Sequence, residues 1–150
     1  MLYRSLKQKD ILKSLPMIKS FCDEMGFPFD MTTLIHFMMQ CIKMGWMLDI
    51  VEEKGEFIGM GGVRIASHFA DVNYKMGVEF VWHSLPSLPK LKRAKIMLTL
   101  WDRMERFCDS NNIPLIIGVN EKGKSGGLGK RMADNKRYSL EESYFIREVI

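Results

Sequence analysis

The chain has 150 residues, 47 % of them hydrophobic, and a formal net charge of +4. That is enough chain for a single domain spanning residues 1–150 with a real core. The longest uncharged apolar stretch, Met31 to Ile42, is too short to cross a bilayer. The charged opening (Arg4, Lys7, Lys9, Asp10) is unlike a secretory signal, so a cytoplasmic protein without a membrane partner is expected. Cys22, Cys41 and Cys108 are odd in number, far apart and set in apolar helical contexts, which reads as reduced core thiols. His36, His68 and His83 have no metal-ligand spacing with cysteine or carboxylate, so no metal is expected.

In chain order, Leu2 to Leu6 predicts a short strand. A helix follows, capped by Asp10 or Ser14 and running to about Met25. Pro16 is tolerable only in a first turn, which favours Ser14 as the cap. Gly26-Phe27-Pro28 breaks this helix, and Asp30 caps a second one with the stripe Met31, Leu34, Ile35, Met38, Cys41 and Ile42, ended by Gly45. Trp46 to Glu52 and Phe57 to Ile65 read as a hairpin turning at Lys54-Gly55. Gly59, Gly61 and Gly62 within its second arm mark a bulge or a close backbone approach. After a turn near Asp71-Asn73, Tyr74 to His83 (YKMGVEFVWH) predicts another strand. Strict alternation would place Glu79, Val81 and His83 on one face and Val78, Phe80 and Trp82 on the other.

Pro86 and Pro89 close that strand. A long helix is expected over about Lys92 to Ser110, with Ala94, Met97, Leu98, Trp101, Met104 and Cys108 buried. Ile113 to Val119 (IPLIIGV) has the continuous apolar character of a buried strand. A helix from about Leu128 to Lys136 and a strand from Ser143 to Val149 complete the order β-α-α-β-β-β-α-β-α-β, a mixed α/β sheet with helices on its faces.

Two basic clusters stand out. VNEKGKSGGLGKRM, from Val119 to Met132, has the glycines of a phosphate loop but not their spacing. Counting from Gly123 puts Leu128 where the second glycine of a nucleotide loop belongs, and Arg131 stands where a hydroxyl is needed. The second cluster is Lys90, Lys92, Arg93 and Lys95 at the start of the long helix. Cations at a helix N-terminus oppose the helix dipole by roughly 0.3–1 kcal/mol each. A bound anion, held by the free N–H groups there, reverses that cost. No nucleic-acid-binding motif accompanies either cluster, which argues against a nucleic-acid module.

The element order resembles the GNAT superfamily of N-acetyltransferases over nearly the whole chain, on loose motifs. EEKGEFIGMGGVRI resembles the family's second-to-third-strand hairpin. VEFVWHSLPSLPKLKRAKIMLTLWDRME resembles its fourth strand, loop and third helix, and IPLIIGVN its fifth strand. The small GNAT-like proteins of some tailed bacteriophages are similar in having this loop rich in lysine and poor in glycine. A phage-encoded protein would work in the host cytoplasm.

The resemblance implies acetyl transfer from acetyl-CoA to an amine. The fourth and fifth strands would be parallel neighbours that diverge at their C-terminal ends, with the pantetheine arm lying against Phe80, Val81, Trp82 and His83. The pyrophosphate would lie at Leu88 to Lys95, including Lys90, Lys92, Arg93, Ala94 and Lys95, and Asn120 would point toward the cofactor arm. Glu79 is the implied base, His83 the alternative, since its ordinary pKa lies nearest neutral. Tyr138 is the candidate acid for the leaving thiolate. The acceptor would be met by the first two helices and their joining loop, where Phe27, Phe29, His36 and Phe37 supply aromatic lining without a charge signature. Oligomeric state is left open, with a dimer among the options.

The sequence departs from the family in two places. The family loop [QR]-x-x-G-x-[GA] has no glycine in its counterpart LPKLKRAK, and Tyr138 falls after the place where the family has its tyrosine. These departures suit a rival reading, a GNAT-like protein that has lost catalysis and serves as an assembly or binding factor.

Overall fold

Each helix is set by what ends it. In the computed structural model, which describes residues 1–117, strand β1 (Leu2–Ser5) leads through a 3-10 turn (Gln8–Asp10) into helix α1 (Ile11–Met25). The Arg4 guanidinium holds both Asp10 oxygens, at 2.7 and 3.2 Å, and the Lys7 N–H donates to the same carboxylate at 3.0 Å. That pairing pulls the Asp10 pKa down to about 2 and locks the turn that launches the helix.

The expected start at Ser14 is therefore wrong. Ser14 lies inside the helix, fully buried, with its hydroxyl donating to the Ile11 carbonyl at 2.7 Å. Pro16 sits beyond the first turn. The bond it cannot make is the one to Leu12, an exposed residue.

Helix α2 (Met31–Met44) follows expectation at both ends. Asp30 accepts the Thr33 N–H at 2.7 Å, and Gly45 closes the helix at φ 67°. Its buried stripe is narrower than the sequence suggests: Met38 and Cys41 are buried, whereas Met31 and Ile42 are exposed.

Strands β2 (Met47–Glu53) and β3 (Glu56–His68) form a hairpin through Lys54 and Gly55, both at positive φ (52° and 82°). This is the backbone a two-residue hairpin loop demands. Strand β4 (Asp71–Ser84) begins earlier than expected, because the chain turns at Phe69-Ala70 and His68 pairs with Asp71.

Helix α3 (Lys90–Ser110) then crosses to strand β5 (Leu115–Ile116). The sheet order is β1-β2-β3-β4-β5, antiparallel except for β4 and β5. Those two are parallel neighbours, as a strand-helix-strand crossover requires. Residues Met1–Ile116 form one compact unit. The last predicted helix and strand, and the loop from Val119 to Met132, lie outside the described residues.

The sheet buries a different cluster on each face. One face carries Met17, Ile18, Met38, Ile50, Met60 and Val81, drawn from α1, α2 and the central strands. The other carries Val51 and Ile58 under Ile96 and Leu100 of α3. The buried row of α3 is thus Ile96, Leu100, Trp101, Met104 and Cys108, while the expected Ala94 is exposed. The glycines of β3 explain how closely α3 approaches: a methyl group at Gly59 would meet Ile96 Cγ2 at 2.7 Å. All three cysteines are buried and unbridged, and burial pushes the thiols of Cys41 and Cys108 up to about 11.

Candidate functional site

Strand β4 contains an irregularity that decides which side chains face where. Val81 pairs with Gly62 and Glu79 pairs with Val63, so Phe80 is an extra residue with no partner of its own on β3. This is a β-bulge. The Phe80 ring lies where a Gly62 side chain would be, with only 2.4 Å to a Cβ built there, and packs edge-on against Phe37 of α2 at 4.9 Å.

The extra residue reverses the alternation. Val81 and His83 face α1, whereas Glu79 falls opposite Val63 on the α3 face, with Gly77 beside Cys108. The expected shared face for Glu79 and His83 is not formed. Trp82 also faces α3: its indole N–H donates to the Met97 carbonyl at 2.9 Å and its ring lies 6.3 Å from Trp101.

His83 is buried, at 4 % exposure. Its Nδ1 lies 3.3 Å from Glu24 Oε2 and its Nε2 lies 3.1 Å from Ser20 Oγ, both on α1, and the Phe21 ring packs edge-on at 5.7 Å. Burial is the main reason its pKa falls below the ordinary histidine value. Glu24 pulls it up in part, and Arg93 pushes it further down. The imidazole is therefore neutral at neutral pH, the state a proton acceptor needs.

Past Ser84, the chain turns through Pro86 and enters α3 at Pro89. No side chain caps α3 and no acidic residue occupies its first turn, so Arg93 N–H to the Pro89 carbonyl, at 3.0 Å, closes that turn. The remaining N–H groups of the first turn have no partner within the helix.

The basic cluster there is partly committed. Lys92 binds Glu53 at the end of β2, which lowers the Glu53 pKa. Arg93 reaches Glu24 at 3.4 Å and donates to Ser84 Oγ at 3.3 Å. Lys90, Ala94 and Lys95 are exposed. Sequence reasoning missed both carboxylate partners, because Glu24 and Glu53 lie far away along the chain.

Among the described residues, β4 pairs with β5 only at Gly77 and Val78. No group of three or more metal-ligating side chains occurs among the described residues. No helix there is long and apolar enough to cross a membrane. Asn120 and Tyr138 lie outside the described residues.

A five-stranded sheet with a parallel β4–β5 pair and helices on both faces has counterparts among solved structures. An acetyltransferase described as predicted, from Clostridium acetobutylicum and solved with acetyl-CoA, superposes with a TM-score of 0.70 at 15 % identity, covering 94 % of this chain and 95 % of that one. The chain has the GNAT fold. A GNAT family acetyltransferase of Staphylococcus aureus matches at TM-score 0.67 and 15 % identity, over 99 % of this chain and 98 % of that one. An aminoglycoside antibiotic 6'-N-acetyltransferase of Acinetobacter haemolyticus matches at 0.70 and 12 % over the full length of both chains. No protein-family model matches the chain, and no curated protein does. The GNAT likeness is therefore one of fold.

Proposed function

We propose that this GNAT-fold chain is a single-domain N-acetyltransferase that moves an acetyl group from acetyl-CoA to an amine. The observation that carries the reading is the junction of the bulged β4 with the start of α3. The bulge takes backbone groups near Phe80 out of the β3 ladder, and the resemblance lays the pantetheine arm along Phe80, Val81, Trp82 and His83. The side chains of Val81 and Trp82 are committed to the two cores, so their contribution is through the backbone. Beyond them, the uncapped first turn of α3 offers N–H donors to the phosphates, with Lys90, Lys92, Arg93, Ala94 and Lys95 around it. The solved neighbour with acetyl-CoA supports this choice of cosubstrate.

His83 is the better placed of the two candidate bases. It is neutral, buried and backed by a carboxylate, whereas Glu79 falls on the α3 face. Tyr138 stays the candidate acid and Asn120 the candidate contact to the cofactor arm.

Replacing Lys90 and Lys95 together by alanine tests the phosphate site, since both are exposed and lie outside the packed core. Coenzyme A affinity should fall about 2- to 30-fold, equivalent to about 0.2–1 kcal/mol for each exposed lysine–phosphate pair. The salt dependence of binding should flatten at the same time. Unchanged affinity in calorimetric titration would remove this segment from the cofactor site.

A second reading, a GNAT-fold binding or assembly factor without catalysis, as in a phage, is favoured by the glycine-free loop and by the carboxylates that occupy Lys92 and Arg93. On that reading coenzyme A does not bind.

A further inference from the structure

Helix α2 carries two apolar stripes, and the fold buries one of them. Met38 and Cys41 lie in the core, with Leu34 and Phe37 packed beside them. The second stripe is Met31, Ile35, Met39 and Ile42, which lie within about 80° of one another around the helix. Ile35 is half-buried, but Met31, Met39 and Ile42 are exposed, at 53, 38 and 38 %. A helix face turned to water ordinarily carries charged side chains. From Met31 to Met44 there is a single one, Lys43 in the last turn.

The pattern fits a second copy of itself. An α2 running antiparallel to the first, about a two-fold axis level with the middle of the helix, sets Met31 of each copy opposite Ile42 of the other. Ile35 and Met39 of both copies fall between. The charges agree. Asp30, the N-cap, and Lys43 stand at opposite ends of the helix. The antiparallel arrangement brings the acidic end of each copy to the basic end of the other and opposes the two helix dipoles. A parallel pair sets Lys43 beside Lys43. An anionic lipid surface is a poorer match, because it calls for cations along the polar face; here that face is Thr32, Thr33, His36 and Gln40.

We propose that the exposed stripe of α2 is a self-association surface, through which two copies of this chain pair as a symmetric antiparallel dimer. Such an interface is isologous, the same patch serving on both copies. One pair of helices makes a small interface, so association of micromolar strength is expected. Pairing of this kind is independent of acetyl transfer. It also leaves the bulge alone: Phe37, which packs on Phe80 at 4.9 Å, lies across the helix from the stripe.

The test uses the full chain. Sedimentation velocity across the micromolar range should show monomer and dimer in exchange. Ile42→Lys places a cation at an exposed site near a helix C-terminus, where the helix tolerates it, so helix content should not change. The dimer Kd should rise roughly tenfold or more, because two apolar contacts are lost per dimer. Cross-linking reads the register. Met31→Cys combined with Ile42→Cys should give a disulfide-linked dimer under mild oxidation. Met31→Cys alone should not, since in the antiparallel pair its two copies stand about 16 Å apart along the helix axis, beyond the reach of a disulfide. The native cysteines are buried and do not compete. A wild type that stays monomeric throughout, a folded Ile42→Lys that keeps the wild-type Kd, a double variant that does not cross-link, or a single variant that cross-links as fast as the double one overturns the pairing. Should Ile42→Lys lose helix content, the cross-linking result decides.

Discussion

His83→Ala is expected to lower kcat by roughly 10²–10⁴-fold, the contribution of a positioned proton acceptor, while coenzyme A affinity stays close to that of the wild type. The ring nitrogens of His83 meet Ser20 and Glu24 of α1 and not the exposed lysines at the start of α3. The pH profile gives a second readout. Burial depresses the His83 pKa below its ordinary value of 6.5. Protonation therefore removes the base only on the acid side, and activity should fall below pH 6.5 and be level above it. The same shift has a stability consequence with a definite sign. The native state binds its proton less readily than the unfolded chain, so this contribution is present above pH 6.5 and is lost as the pH falls. Rates and Tm measured across the same pH range separate the two effects. A wild-type rate that keeps its value well below the acid limb, or a His83→Ala variant that keeps its rate, would exclude His83 as the base.

Leu100→Ala should cost about 2–5 kcal/mol, the range for emptying a packed core site. Leu100 is fully buried and lies directly over Gly61, where an added methyl would stand 3.2 Å from its Cδ2. The two positions should therefore couple. Gly61→Ala is expected to be costlier in the wild-type background than alongside Leu100→Ala, where the new methyl occupies vacated space. Denaturant unfolding of the four proteins gives the coupling energy, expected at 0.5–3 kcal/mol for residues in contact. Strict additivity would mean that α3 does not press on β3 as described.

Much of the framework was readable because it rests on local rules. The Asp30 cap, the Gly45 stop and the Lys54-Gly55 turn each depend on residues within one turn of chain. The parallel pairing of β4 and β5 follows from the long helix between them. The errors come where distant residues override a local rule. Helix α1 starts at Ile11 and not at Ser14 because Arg4 of β1 holds Asp10 in the 3-10 turn that precedes it.

The site suffered most from this. Period-two alternation put Glu79 with His83, and the single extra residue at Phe80 undid it. Gly62, one of the three β3 glycines that mark a bulge or a close approach, leaves room for the Phe80 ring. Ser20 and Glu24 have the four-residue spacing of side chains that share a helix face. Nothing in α1 alone says that this face meets a histidine from β4.

Calorimetric titration of the full chain with acetyl-CoA at low and high salt decides whether this fold holds the cosubstrate. Saturable one-to-one binding that weakens as salt rises is expected. At a hundred times Kd the ligand should stabilise the protein by about 2.7 kcal/mol, seen as a raised Tm. No heat of binding and an unmoved melting curve at millimolar acetyl-CoA would contradict it.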